Sequence, residues 1–257
     1  MRMSRLAVLS LSALSALLAL GFASPAMSAE NIRVLALESE SFFYQKDGTL
    51  AGIEHDILDY FAKSRGATLS VEWADSFAGI LERVEKGEVD IGSGTITITP
   101  ERTRRVDFTA PYFPVQVMLV ERMGDEAKSL TDLVGQRVGA FTKTTAEDAL
   151  KAVPGILIVN DGTLQDQMRA IDRGEMRAAA ADSSAIIPEL DNFPKLKLGM
   201  ALSAESGFGF ALPKNSALTA PLTDHVKKLK QSGIYFRLVN THMGPRASEI
   251  IKAAKLQ

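Results

Sequence analysis

Residues 89–114 read VDIGSGTITITPERTRRVDFTAPYFP. The first part is rich in β-branched and apolar residues, which predicts a buried strand over residues 89–98 that ends in small hydroxylated residues. Pro100 cannot continue that strand. Three arginines follow closely, namely Arg102, Arg104 and Arg105. Because a guanidinium presents a planar fork of donors to both oxygens of a carboxylate, this segment suits an anion.

Two threonines precede the arginines within the same stretch. Thr95 and Thr97 are two residues apart, so in a continuous strand both side chains would lie on the same side as the following loop. Together with the arginines, they predict an anion-binding segment at the end of the strand. If only the spacing of these residues is considered, the alternative to an anion-binding segment is a solvated basic turn beside a strand.

Strand-like and helix-like segments alternate on both sides of this stretch. The pattern runs twice, which predicts two α/β units with mostly parallel sheets. Ligands of such sheets bind at the carboxyl ends of the strands. The predicted strands are 32–37, 69–73, 89–98, 115–120, 137–141, 156–159, 177–181 and 208–212, and the predicted helices are 53–63, 77–85, 144–153, 164–172, 221–230 and 234–240.

Composition excludes several classes of function. The chain has 257 residues, a formal net charge of −2 and no cysteine, so it can form no disulfide, and neither a nucleic acid nor a membrane surface is an expected partner. His55, His225 and His242 are scattered and fit no metal-ligand spacing. Neither a nucleophile motif of the G-x-S-x-G type nor a phosphate-binding loop occurs. We therefore predict neither a metal site nor a cofactor.

The N-terminus has the pattern of a cleavable secretory signal. Arg2 and Arg5 precede an apolar stretch, residues 6–22, that is short for a membrane span, and small residues follow it. We predict a signal peptide over residues 1–28, cleaved after Ser28, with cleavage after Ala29 as the alternative. The mature protein would then be soluble and periplasmic.

The sequence of residues 90–113, DIGSGTITITPERTRRVDFTAPYF, resembles the signature of a known family. The family comprises the periplasmic solute-binding proteins of ABC importers for polar amino acids, the bacterial extracellular solute-binding proteins of family 3, with T-I-T-x-E-R and F-S-x-P-Y as core motifs. The resemblance continues, in the same order, through nearly the whole chain after the signal. Its other motifs are residues 52–56, 77–80, 86–90, 137–139, 144–145, 208–214 and 229–235.

The resemblance implies a two-lobed α/β fold of the periplasmic-binding-protein kind (type II topology), with two crossing strands and a ligand in the cleft. Lobe 1 would be discontinuous, residues 29–116 and 211–257, and lobe 2 with the hinge strands would be residues 117–210. The implied function is capture of a small polar solute, most simply an amino acid, and its delivery to ABC permease membrane subunits. We expect a monomer.

The same resemblance implies roles for individual residues. Arg102 and Thr97 would hold the ligand carboxylate, and Thr95 would accept from the ammonium through its backbone carbonyl. Thr145, at a helix start in lobe 2, would help to hold the anion, with helix capping as an alternative or additional role. Asp182 would pair with the ammonium, or cap a helix over residues 184–190. Phe77 would cover the ligand side chain, or pack in the core.

The chain departs from its relatives at the rim of the cleft. Where they carry an aromatic residue after the first strand, this chain has Glu38-Ser39-Glu40-Ser41, which places Glu40 in the expected ligand-covering position. Lys143 replaces a common glycine and would add a cation across the cleft. These opposed charges predict a ligand side chain that is polar, of undecided sign, rather than aliphatic.

Two other functions remain open at this stage. One is a periplasmic dehydratase of prephenate or arogenate, since a few proteins of this fold are such enzymes, with Glu38, Glu40 or Lys143 as the acid or base. The other is an accessory sensor that presents its closed form to a receptor. We expect a binding protein and no enzyme.

Overall fold

The structure is a computed structural model that describes residues 30–253. The predicted signal peptide and both predicted cleavage positions lie outside the described residues. No helix in this part of the chain is long and apolar enough to cross a membrane.

Short strands and helices alternate through the described chain. The strands are β1 Asn31–Ala36, β2 Tyr44–Lys46, β3 Thr49–Ala51, β4 Thr68–Trp73, β5 Ile91–Ser93, β6 Asp107–Phe108, β7 Phe113–Val115, β8 Val117–Arg122, β9 Arg137–Gly139, β10 Leu157–Val159, β11 Ala178–Asp182, β12 Leu196–Ala201, β13 Ser206–Phe208 and β14 Ala211–Leu212. The helices are α1 Ile53–Ser64, α2 Phe77–Glu85, α3 Pro100–Arg105, α4 Thr145–Lys151, α5 Leu164–Arg173, α6 Ser183–Glu189, α7 Thr219–Gln231, α8 Gly233–Met243 and α9 Ala247–Ala253. Single 3₁₀ turns span Leu130–Leu133, Leu190–Asn192 and Gly244–Arg246.

Two five-stranded sheets organise these elements. The first has the order β4-β1-β5-β14-β6, and the second has the order β10-β9-β11-β8-β12. In each sheet four strands run one way and one strand runs the other, β14 in the first and β8 in the second. The predicted alternation of mostly parallel α/β units is therefore confirmed.

Each sheet is covered by helices on both faces, because its strands are apolar on both sides. On the first sheet, Ile57 of α1 packs in a core with Val34, whereas Ile80 of α2 packs with Leu35 of the same strand on the other face. On the second sheet, α4 and α5 bury their apolar residues in two separate cores. The sheets thus form the rigid layers from which the connecting loops project.

Two crossing strands connect the sheets. β7 and β13 pair in antiparallel fashion, with Phe113 opposite Phe208. Between β7 and β8 lies the buried Gln116, whose amide Nε2 donates to the Ser203 carbonyl at 2.8 Å. The predicted strands 115–120 and 208–212 exist at this crossing, but each is divided into two shorter strands. The chain passes between the sheets at Gln116, which lies between β7 and β8, and at residues 202–205, which lie between β12 and β13.

The prediction of one long strand over residues 89–98 was wrong. β5 ends at Ser93, and Thr95 has a φ of 50°, so Thr95 and Thr97 do not lie on one side of a regular strand. Glycine at position 94 and the turn at Thr95 redirect the backbone, which β-branched composition alone does not reveal. Beyond them, Thr97 forms an isolated antiparallel bridge with Phe208. Strand β12 and helix α9 were not predicted from the sequence.

Candidate ligand-binding site

A cavity of about 440 Å³ lies between the two α/β units, at the carboxyl ends of the strands, where parallel sheets bind their ligands. Six of the seven site residues predicted from the sequence line it, namely Phe77, Thr95, Thr97, Arg102, Thr145 and Asp182. The seventh, Glu40, lines an adjoining cavity of about 520 Å³. The two cavities share four wall residues, Thr95, Leu164, Asp182 and Ala185.

Arg102 lies on the short helix α3, which follows strand β5 in the chain, and lines the main cavity. Thr99 caps this helix by accepting a hydrogen bond from the Arg102 backbone amide at 3.2 Å. The side chain is only 9 % exposed, and its Nη1 donates to the Thr97 carbonyl at 2.9 Å. Burial lowers its pKa, although the guanidinium keeps its charge because arginine stays protonated in proteins.

The three arginines of the motif therefore separate in space. Arg104 and Arg105 are exposed, and Arg105 forms an ion pair with Glu85 at 2.6 Å. Arg102 forms no ion pair with any residue in the range 30–253. A buried cation without a counter-ion favours binding of an anion.

Asp182 faces the same cavity from the second sheet, at the end of β11. It occupies the residue before α6, but its side chain makes no capping hydrogen bond. Its Oδ1 atom is buried and accepts no hydrogen bond within the described chain. Burial raises the pKa of Asp182 to about 7, and the charge of Arg102 opposes that shift. The capping alternative does not account for this side chain.

Phe77 and Thr145 are the first residues of helices α2 and α4, and in each case the preceding residue caps the helix. Ser76 accepts a hydrogen bond from the Gly79 amide at 3.3 Å and caps α2, and Thr144 accepts from the Glu147 amide at 3.3 Å and caps α4. The Phe77 ring is 4.8 Å from the Arg102 guanidinium carbon, a cation–π distance. Because Thr144 is the cap, the Thr145 hydroxyl remains available to the cavity.

Glu54 is a fully buried carboxylate on α1 whose role was not predicted from the sequence. Its Oε1 accepts hydrogen bonds from the Thr95 amide at 2.9 Å, from the Gly94 amide at 3.2 Å and from the Tyr112 hydroxyl. Burial raises the pKa of Glu54, and these hydrogen bonds oppose that rise. The signal in the sequence was a carboxylate directly after Ile53, on the apolar face of a predicted helix. Glu54 fixes the turn that positions Thr95.

The remaining walls of the main cavity are largely apolar. The lining residues that were not predicted from the sequence include Leu37, Phe141, Thr142, Asn160 and Leu164. Leu37, Phe141 and Asn160 each lie within two residues of the carboxyl end of a strand. That position could have identified them, because the loops at this edge of both sheets converge.

Glu40 and Lys143 lie on opposite flanks of the main cavity and line different adjoining cavities. Glu38 and Glu40 line the adjoining cavity, whereas Lys143 lines a third cavity of about 400 Å³ that contains neither acid. The Lys143 amide donates to Glu147 at 2.8 Å, and the side chain is exposed. A left-handed backbone at Lys143, with a φ of 63°, turns the chain at the start of α4. Glycine adopts this backbone conformation more readily than lysine does.

The sequence profile of the bacterial extracellular solute-binding proteins, family 3, matches residues 32–245. A protein of Campylobacter jejuni named "Probable histidine-binding protein" is 24 % identical over 206 residues, which is 78 % of this chain and 80 % of that protein. The membrane-bound lytic murein transglycosylase F of Aeromonas salmonicida is 25 % identical over 83 % of this chain, but the match spans only 45 % of the transglycosylase.

Among solved structures, an ancestral arginine-binding protein bound to arginine superposes with a TM-score of 0.72 at 26 % identity, over 82 % of this chain and 97 % of that chain. The predicted fold, two α/β lobes of the periplasmic-binding-protein kind, is thereby confirmed. Within the described residues, no group of three or more His, Asp or Glu side chains is arranged to hold a metal ion.

Proposed function

We propose, because the chain belongs to the bacterial extracellular solute-binding proteins of family 3, that it captures an amino acid between its lobes and delivers it to an ABC-type permease. The observation that carries the proposal is a pair of oppositely charged groups in one cavity, neither of which forms an ion pair with the described residues. Arg102 is a buried cation without a counter-ion, and Asp182 is a carboxylate whose Oδ1 has no hydrogen-bond donor among the described residues. A zwitterionic amino acid supplies the missing partner of each.

In this proposal the carboxylate of the ligand binds Arg102 and Thr97, with Thr145 contributing from the second lobe. The ammonium binds Asp182 and the backbone carbonyl of Thr95. Phe77 covers part of the side chain while its ring also stacks on Arg102. The arrangement requires both lobes, so only a closed conformation satisfies both ends of the ligand.

The proposed lobes are residues 29–116 with 211–257, and residues 117–210. This division is supported by β14, which returns to the first sheet after the chain has completed the second. The proposed hinge lies around Gln116 and residues 202–205, because the chain crosses there between two rigid sheets.

No observation favours the enzymatic alternative over binding. None of the candidate acid–base groups Glu38, Glu40 and Lys143 lines the main cavity, which contains Arg102 and Asp182. A dehydratase would need such a group within reach of the bond that it breaks. We therefore propose a non-enzymatic binding protein, exported to the periplasm by the predicted signal. A neighbouring permease gene would favour transport over an accessory sensor.

A thermal-shift screen of the mature protein against amino acids, organic acids and amines tests the proposal. A ligand at 100 times its Kd adds about 2.7 kcal/mol of stability. We expect at least one α-amino acid to raise Tm, and its decarboxylated amine to have a much smaller effect. If organic acids or amines stabilise the protein and no amino acid does, the proposed ligand class is wrong. Turnover of prephenate or arogenate would instead establish the enzyme.

A further inference from the structure

The cavity that adjoins the main one has a strongly acidic lining. Glu38, Glu40, Asp182 and Glu189 line it, and its described wall contains no lysine, arginine or histidine. We call these four residues the acidic annex. We propose that the ligand is an amino acid whose side chain carries a positive charge, and that this charge lies in the acidic annex. The inference rests on the proposed function and specifies the ligand within it.

Three carboxylates of the acidic annex, Glu38, Glu40 and Glu189, have no cationic partner among the described residues. Glu189 accepts hydrogen bonds only from neutral amides, from Gln165 at 2.9 Å and from Asn192 at 3.3 Å. The side chains of Glu38 and Glu40 make no hydrogen bond or ion pair with the described residues. Like charges around one cavity repel each other, and a cation placed among them relieves that repulsion.

The unpartnered oxygen of Asp182 also points to a ligand. Its Oδ1 is enclosed by protein and has no hydrogen-bond partner in the described chain, yet the residue lines both the main cavity and the annex. An ammonium held at Asp182 therefore stands at the entrance to the annex. A side chain that leaves the same carbon atom can extend from there toward Glu38 and Glu40.

The rest of the wall is partly apolar. Its apolar residues are Phe42, Leu164, Ala185, Pro188 and Phe208, and they alternate with serine, threonine and glutamine side chains. Such a surface suits the methylene stem of a long side chain, whose charged end then reaches the carboxylates. The wall and the annex together match the side chain of lysine, ornithine or arginine.

The opposite flank of the main cavity has a different charge pattern. Basic and acidic side chains both occur there, including Arg102, Lys143 and Lys151 beside Glu147 and Asp148. The order across the cleft is thus a cation at Arg102, a carboxylate at Asp182, and further carboxylates in the annex. A ligand with a carboxylate, an ammonium and a second cation, in that order, complements all three.

Arginine and citrulline provide a matched pair of probes, because they have nearly the same shape and differ in the charge of the side-chain terminus. Calorimetric titration of the mature protein with each should show that L-arginine binds at least about ten times more tightly than L-citrulline. Raising the salt concentration should reduce this ratio, since the annex is partly exposed and its charges are screened.

A double variant, Glu38→Gln with Glu40→Gln, tests whether the annex causes the preference. We expect it to reduce the arginine-to-citrulline ratio several-fold while the Kd for citrulline stays close to that of the parent. Glu101→Gln is the matched control, because Glu101 is an exposed carboxylate on the opposite flank. The arginine-to-citrulline affinity ratio of this control variant should equal that of the parent protein.

The outcomes separate this inference from the proposed function. Equal affinities for the two probes, or a ratio that the double variant does not change, would overturn the placement of a cation in the annex. Tighter binding of a neutral or acidic amino acid than of arginine or lysine would overturn the ligand class and leave amino-acid capture intact. Absence of binding by every α-amino acid would overturn the proposed function itself.

Discussion

The two halves of the main cavity differ in how completely their polar groups are satisfied before a ligand arrives. In the first lobe, Arg102 donates to the Thr97 carbonyl, and Glu54 holds the adjacent turn through two backbone amides. In the second lobe, the Thr145 hydroxyl makes no hydrogen bond and Asp182 Oδ1 has no partner, as far as the described residues extend. One half is preorganised, and the other is completed by the ligand.

This difference suggests a division of labour in binding. A preorganised half contributes affinity because few groups must be ordered when the ligand arrives. The groups of the unsatisfied half gain partners only when the lobes close on the ligand. Their interactions therefore shift the equilibrium from the open toward the closed conformation. Substitutions in the two halves should therefore have different consequences.

The largest effect is expected in the preorganised half. Arg102→Ala should cost roughly 2–5 kcal/mol of binding free energy, because the ligand carboxylate would be left buried without its partner. Arg104→Ala should cost far less, since Arg104 is exposed and two residues away. Calorimetry of both variants with the best amino acid from the screen measures the contrast. Equal losses would mean that Arg102 does not anchor the ligand.

In the unsatisfied half, Asp182→Asn keeps the shape of the side chain and removes its charge. Binding of an α-amino acid should weaken by about 1.5–3 kcal/mol, the range for a hydrogen bond to a charged group. The corresponding α-hydroxy acid lacks the ammonium and should lose less. If the variant binds the amino acid as tightly as the parent, Asp182 has a structural role at the start of α6 and the comparison between the halves fails.

The pH dependence of binding distinguishes the halves without a substitution. Burial raises the pKa of Asp182 to about 7, so below that pH the free protein carries a proton that an ammonium ligand must displace. Affinity should therefore be constant above pH 7 and fall up to tenfold, about 1.4 kcal/mol, for each pH unit below it. Titrations between pH 5 and pH 8 measure the slope. Asp182→Asn should remove it, and a slope that persists in this variant would assign the proton to another group.

The sequence predicted some of these features well because they depend on local pattern. Helix α2 has the predicted bounds, 77–85, since its apolar spacing and cap are contiguous in the chain. Arg102 was identified through a short motif, although only the structure shows that its side chain is buried and that of Arg104 is not. The turn at Thr95 was missed because it depends on Glu54, which is remote in sequence. The separation of Lys143 from Glu40 likewise depends on how the lobes assemble.

Two buried glutamates allow the comparison to be sharpened further. Glu54 and Glu121 are both inaccessible to solvent, and each accepts a backbone amide, from Thr95 at 2.9 Å and from Ala127 at 2.9 Å. Glu121 also pairs with Arg177 at 3.1 Å. In the β8–β11 pair, Glu121 lies opposite Ala178. Ala178 is four residues before Asp182, so this position is about 13 Å from the end of β11 that faces the cavity. Of these two glutamates, only Glu54 contacts the turn at Thr95.

The smallest effect on binding is expected from Glu54→Gln, which retains an acceptor for the Thr95 amide but weakens that hydrogen bond by removing the charge. Both Glu54→Gln and Glu121→Gln should lower the free energy of unfolding by about 1–3 kcal/mol, because each places amide donors in a buried site. Glu54→Gln should in addition weaken ligand binding by about 1 kcal/mol. Glu121→Gln should leave the Kd unchanged. Urea denaturation and calorimetry on the same preparations separate the two quantities. If both variants lose stability and neither loses affinity, the turn at Thr95 is held by the rest of the first lobe, and preorganisation does not depend on Glu54.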